Sequence, residues 1–289
     1  MWPAIQRAIS DATARPFAID ERRRVAGGSI NEAYVVTGGG ARYFIKVNQA
    51  AHGAMFDAEA QALAELTRAA CLRVPQVVAR GATPQACWLI LEFLELSASG
   101  DERQLGTELA MLHGVSAARF GWQRDNTIGT TAQHNTWDES WPRFWRDRRL
   151  GFQLDLARRN GAPRALLQQG DRLLARIGRF FGDSPVVPAL MHGDLWAGNA
   201  AYLTDGTPVV YDPASYYGHH EADIAMTELF GGFGADFYAA YRATRPLADG
   251  YGVRKDLYNL YHVLNHYNLF RGGYATQAAR MIERLLAEV

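Results

Sequence analysis

The chain has 289 residues, 48% apolar and 21% charged, which suits one large domain or two coupled ones and excludes a disordered or fibrous protein. Thirty basic and thirty acidic residues cancel, so no cationic excess points to nucleic acid, and no stretch approaches the roughly 18 apolar residues of a membrane span. Two cysteines, Cys71 and Cys87, are too few for a disulfide framework, and Met1–Pro16 lacks the apolar run of a signal peptide, so a cytoplasmic protein is expected.

Arg24–Val36 reads as strand, Gly-Gly turn and strand. The glycines 38–40 then turn the chain into the β-rich run Tyr43–Val47. Met55–Ala70 spaces Met55, Phe56, Ala60, Leu63 and Leu66 as one amphipathic helix, closed off before Pro75. Gln76–Arg80 and Ala86–Leu91 complete a five-stranded antiparallel unit with one helix. Ser97–Asp101 is a polar linker ending in a helix N-cap. The division expected is a β-rich unit over 1–95 and a second unit over 96–289. The second is mainly helical, over about 101–114, 138–159, 164–181, 221–230, 234–243, 253–271 and 274–288. One island interrupts it. Ala189–Tyr211 holds the loop MHGDLWAGNA and a small hairpin turning at Thr204-Asp205-Gly206. Such islands tend to hold function.

The strongest chemical signal is His192-Gly193-Asp194, with Asn199 five residues after Asp194 and Asp212 thirteen residues after Asn199. An Asp on a rigid loop can orient a hydroxyl and accept its proton, while an Asn and a second Asp offer hard oxygens to Mg²⁺. Protein kinases space these roles H-R-D-x-x-x-x-N and then D-F-G, and the Asp–Asn interval here is the same. Taken singly, Asp194 or Asn199 could equally belong to an Asx-turn loop. Lys46, between apolar β residues, is either a solvent-facing lysine or the strand lysine that holds ATP phosphates and pairs with a helix glutamate. Glu59 is the partner expected, with Glu65 the alternative. Gly27-Gly28-Ser29 is placed where a loop covering a nucleotide should lie, although an ordinary hairpin turn has the same look. Glu92-Phe93-Leu94 reads as an adenine-binding hinge or as the end of an edge strand.

Only eight residues separate Asp212 from Glu221, so there is no long activation segment to hold a peptide, and a small acceptor is expected. Asp212-Pro213-Ala214 lacks the phenylalanine of D-F-G. Trp196, two residues after Asp194, is either a loop anchor in the core or a flat wall for a sugar or amine. His219 and His220 read as structural or surface residues rather than metal ligands. Trp141–Arg149 reads as a helix with Phe144 inward and Arg146, Arg148 and Arg149 solvated. Tyr258–Phe270 has core periodicity but also presents His262, Asn265, His266 and Asn268 as a rim of substrate contacts, of which His266 is the candidate retained.

HGD-x4-N with a later β-linked Asp resembles the aminoglycoside phosphotransferase and choline kinase-like superfamily. MHGDLWAGNA, VVYDPASYYGHHEADIAMTELFGGF, LYHVLNHYNLFRGGY, GGSINEAYVV and FIKVN are similar to the fructosamine (ketosamine) kinase family, from about Ile19 to Leu286. The resemblance implies an α+β, protein-kinase-like fold with a small β-rich lobe and a larger helical lobe. It implies ATP-dependent phosphorylation of a sugar hydroxyl in ketosamines, adducts on small amines or protein lysines, as deglycation repair. It assigns Asp194 as base, Asn199 and Asp212 as Mg²⁺ ligands, Lys46 as the ATP-phosphate lysine and Glu59 as its partner. Some members have a cysteine in the glycine loop; this chain has none there, so a redox switch at that loop is not expected. The alternatives are a kinase for an aminoglycoside, choline or homoserine, or a nucleotide-binding pseudokinase. Mixed charge and abundant aromatics speak against a polycation site, and a pseudokinase would lack one of the four catalytic groups, all present here. No nucleic-acid or membrane partner is expected.

Overall fold

A computed structural model describes residues 1–25, 30–182 and 185–289. It opens on a helix the sequence reading passed over, α1 (Trp2–Thr13), with Pro3 in its first turn. Trp2, Ile5 and Ile9 recur at helical spacing, and that was the available signal. Ile5 and Ile9 are fully buried against Val36, Ile45, Val47, Trp88 and Ile90, a gain of about 1.5–3 kcal/mol for each isoleucine. The strands follow as β1 (Glu21–Val25), β2 (Glu32–Gly38) and β3 (Ala41–Gln49), then α2 (Gly53–Ala69), β4 (Val77–Ala82) and β5 (Ala86–Glu92). They form an antiparallel sheet in the order β1-β2-β3-β5-β4, with a bulge in β4 between Val77 and Ala79. The short β6 (Leu96–Ser97) comes next.

The chain continues through α3 (Glu102–Leu112), the hairpin β7 (Asn126–Ile128) and β8 (Thr131–Gln133), α4 (Trp141–Phe144), α5 (Gly151–Arg159) and α6 (Arg164–Leu174), to β9 (Ala189–Leu190) and the polar loop. The hairpin β10 (Ala200–Leu203) and β11 (Pro208–Val210) precedes β12 (Tyr217–Gly218), α7 (Glu221–Leu229), α8 (Ala235–Thr244), α9 (Tyr251–Phe270) and α10 (Tyr274–Ala287). Among the described residues no helix is long and apolar enough to cross a membrane.

Two units result: Met1–Asp101 with Ala200–Pro213, and Glu102–Asn199 with Ala214–Val289. The expected division into 1–95 and 96–289 is corrected by the hairpin. Its strand β10 pairs with β6, and the Val210 N–H donates to the Arg73 carbonyl at 3.0 Å, which binds residues 200–213 to the first unit. In the second unit α9 is the central helix, with Leu257, Tyr258, Leu260, Tyr261, Val263 and Leu264 all buried. The expected helix over 138–159 starts instead at Trp141 and contains a π-helical turn, Trp145–Leu150. Arg149, expected solvated, is corrected to fully buried: it lies four residues after Trp145 and eight after Trp141, on the inward face. The Arg149 guanidinium donates to the His134 carbonyl at 2.6 Å and to Asn135 Oδ1 at 2.7 Å, and lies 4.1 Å from the Tyr216 ring centre.

Candidate active site

The first unit holds one group of the candidate residues. Side chains alternate along β3, so Ile45 and Val47 turn toward α1 and Lys46 turns to the opposite face. There the buried Lys46 Nζ donates to Glu59 Oε1 on α2 and to Asp212 Oδ1, each at 2.5 Å. A solvent-facing lysine is thereby excluded, and Glu59 is the helix glutamate that reaches it. Burial alone would pull the lysine pKa down, but the Asp212 and Glu59 carboxylates more than offset it and hold the ammonium charged. Burial pushes Glu59 up, with the Asp212 carboxylate adding to the rise and Lys46 opposing it. Asp212 follows β11 with φ of 58°, in the left-handed region that few non-glycine residues adopt, and half of its side chain faces solvent. Strain of this kind persists where the surroundings over-determine it, and it concentrates at functional positions.

Glu92 ends β5 and is engaged within the unit. Its carboxylate accepts from Arg73 at 2.5 Å and from the Gln76 N–H at 3.1 Å. Phe93 lies under the Arg42 guanidinium, 4.4 Å from the ring centre, and Leu94 after it is half-buried and outside any strand. What Phe93 and Leu94 can offer a ligand is main chain. Gly27, Gly28 and Ser29 lie outside the described residues.

The second unit holds the loop. Gly193 has φ of 85°, and a Cβ there would lie 2.2 Å from the Ala214 carbonyl oxygen, so only glycine fits beside it. The Ala214 N–H in turn donates to the His192 carbonyl at 2.9 Å. Asp223, buried on α7, accepts from the His192 N–H at 2.7 Å and the Gly193 N–H at 2.9 Å. Burial would raise this carboxyl, but the His113 hydrogen bond, the neighbouring imidazoles and the Gly193 N–H hold it below the ordinary carboxylate range. The half-buried Asp194 is joined to Asn199, whose Nδ2 donates to the Asp194 carbonyl at 2.9 Å and to its Oδ2 at 3.2 Å. With Nδ2 so used, Asn199 is left Oδ1 as its hard donor. Asp212, in the first unit, carries a carboxylate; an amide oxygen and a carboxylate are each of the hard oxygen type that Mg²⁺ takes.

Trp196 is 40% exposed, which excludes a core anchor. Its ring meets Phe230 edge-on at 6.4 Å, and Phe230 meets His266 at 5.3 Å. The two substrate candidates are therefore linked through a residue not expected from the sequence; Phe230 gave no signal beyond its Phe-Gly-Gly setting. His266 itself is tied back to the His262 carbonyl through Nδ1 at 2.8 Å. Asp223 was also missed, although an Asp inside the apolar run Ala222–Met226 was a readable sign. His219 is buried on the Tyr258 hydroxyl at 2.5 Å, and no metal-binding group of His, Cys, Asp and Glu occurs among the described residues.

The family model for fructosamine kinase matches residues 1–288. The chain belongs to the fructosamine kinase family. It is 46% identical over 288 residues to a probable ketoamine kinase of Synechocystis sp., covering 99% of this chain and 97% of the other. It is 42% identical over 266 residues to a chloroplastic protein-ribulosamine 3-kinase of Arabidopsis thaliana, covering 91% and 81%. A crystal structure named for a fructosamine-3-kinase of Haemophilus somnus superposes with a TM-score of 0.90 at 28% identity, covering 99% and 98%. The α+β, protein-kinase-like fold expected from the sequence is the fold of this fructosamine kinase family member.

Proposed function

We propose that this fructosamine kinase transfers the γ-phosphoryl group of ATP to a sugar hydroxyl of a ketosamine. The observation that supports a kinase most strongly is Lys46, buried and held at 2.5 Å by both Glu59 and Asp212. Glu59 fixes the ammonium, and Lys46 carries the positive charge to the phosphates. The main chain of Phe93 and Leu94 takes the adenine, and Gly27, Gly28 and Ser29 cover the phosphates. Asn199, through Oδ1, and Asp212, through its carboxylate, are the Mg²⁺ ligands. Mg²⁺ held by these two side chains would neutralise charge building on the phosphate oxygens.

Asp194 orients the acceptor hydroxyl and takes its proton as the hydroxyl oxygen bonds to phosphorus and the bond to the ADP oxygen breaks. Asn199 keeps the Asp194 carboxylate in place by its hydrogen bond to Oδ2. Trp196 and His266, with Phe230 between them, form the wall against which the sugar and its amine lie. The acceptor is a small ketosamine or the same adduct on a protein lysine, and the role is repair of glycated amines in the cytoplasm. The test is steady-state kinetics on two variants. Asp194→Asn should lose about two to four orders of magnitude in kcat with ATP affinity unchanged. Trp196→Ala should raise KM for the ketosamine and leave KM for ATP alone. A wild-type kcat in the first would remove the base; a normal ketosamine KM in the second would remove the wall.

A further inference from the structure

Behind the catalytic loop lies a buried chain of polar groups that the phosphoryl-transfer chemistry does not use. His113, just past the end of α3 and 2% exposed, directs Nε2 to Asp223 Oδ2 at 3.2 Å. Its Nδ1 meets the Tyr241 hydroxyl at 2.7 Å, and that hydroxyl meets His220 Nδ1 at 3.0 Å. An ionised Asp223 only accepts, so Nε2 of His113 must hold the hydrogen. The single Tyr241 hydroxyl proton can serve one imidazole, so the hydroxyl donates to one and accepts from the other. The backbone builds this contact deliberately close: a Cβ at Gly106 of α3 would lie 2.2 Å from the Phe237 carbonyl of α8, and its absence lets the two helices meet.

We infer that His113, fixed by Tyr241, is a positioning residue that orients the Asp223 carboxylate and through it the His192 and Gly193 amides that set Asp194. Asp223 has three donors on two oxygens. Remove His113, and only the two amides of the loop itself restrain the carboxylate, one on each oxygen. Nothing outside the loop then fixes the carboxylate plane, and the loop and Asp223 can shift together. A shift near 1 Å at the reacting group costs about 100-fold in rate. The inference rests on Asp194 acting as the base, so the test includes a readout that does not.

Two substitutions separate positioning from packing. His113→Gln keeps a donor near the place of Nε2, whereas His113→Asn reaches only about as far as Nδ1. Measured are kcat, both KM values, thermal stability and hydrogen exchange of the Gly193 amide. Expected for His113→Asn is a loss of about ten- to a hundred-fold in kcat, KM values within about two-fold, and exchange at Gly193 about ten-fold faster. His113→Gln should recover to within a few-fold of wild type. Should His113→Asn fail to fold, Tyr241→Phe, which keeps the Asp223 pair, should give a smaller loss in the same sense. Equal losses in both His113 variants that track stability, or unchanged Gly193 exchange, would overturn the inference. Faster exchange with unchanged kcat would uphold the positioning and remove Asp194 as base.

Discussion

Replacing Gly193 with Ala tests whether the loop is held as tightly as its contacts indicate. The new Cβ would stand 2.2 Å from the Ala214 carbonyl oxygen and 2.7 Å from its carbon. An ordinary carbon–oxygen contact is about 3.2 Å or more, so roughly 1 Å of movement is required. The left-handed φ of 85° adds strain of about 1–2 kcal/mol for any side chain, and overpacking adds about 1–3 kcal/mol. The expected destabilisation is therefore about 2–5 kcal/mol. The displaced segment holds the hydrogen bonds to Asp223 and Ala214 and lies next to Asp194, so kcat should fall about 100-fold. Gly206 supplies the control. It has φ of 89° with nothing within 4 Å of an added Cβ, so Gly206→Ala should show the strain alone and keep wild-type kcat. Denaturant melts and steady-state kinetics on both variants read the two quantities. A Gly193→Ala enzyme no less stable than Gly206→Ala, with wild-type kcat, would refute the reasoning.

Lys46→Met should lower kcat by about 100-fold or more and also destabilise, because it strips the cation from the buried Glu59. Glu59→Gln should be milder in kcat, since Lys46 keeps Asp212; kinetics and melts on the pair would contradict this if Glu59→Gln proved the more damaging. Stability should fall in acid. Burial pushes His219 and His262 down to about 3 and His220 to about 2, all below the unfolded value near 6.5. The unfolded chain therefore takes up protons first, and stability is lost as pH drops below about 6.5. At pH 5.5 each histidine costs about 1.4 kcal/mol and the three together at most about 4 kcal/mol. Urea melts at pH 7.5 and 5.5 check it, and equal unfolding free energies would contradict it.

The sheet was legible in the sequence because its strands are bounded by glycine turns and rich in β-formers, but the alternation of its own strand left Lys46 open between a solvent face and a buried ion pair. Asp194, Asn199 and Asp212 stand out as candidates in the sequence because loop chemistry is local and fixed in spacing. What escaped was set by long-range packing. The hairpin 200–213 joins the first unit through a pairing with β6 that lies a hundred residues back in the chain. Arg149 was expected solvated from its charge alone, although it falls four residues after the buried Trp145 on the inward face; what fills that place, the His134 carbonyl, Asn135 and the Tyr216 ring, comes from distant segments. Tyr241 and Asp223 come from two helices and His113 from the turn that ends a third, and no periodicity within one helix announces a partner in another.

The most direct test of a ketosamine kinase is phosphate transfer from labelled ATP, with Mg²⁺, across synthetic ribulosamines, erythrulosamines and fructosamines beside an aminoglycoside, choline and homoserine. A ketosamine should give the highest kcat/KM, with labelled phosphate on its sugar. A higher kcat/KM for the aminoglycoside, choline or homoserine, or ATP turnover with no acceptor labelled, would contradict it.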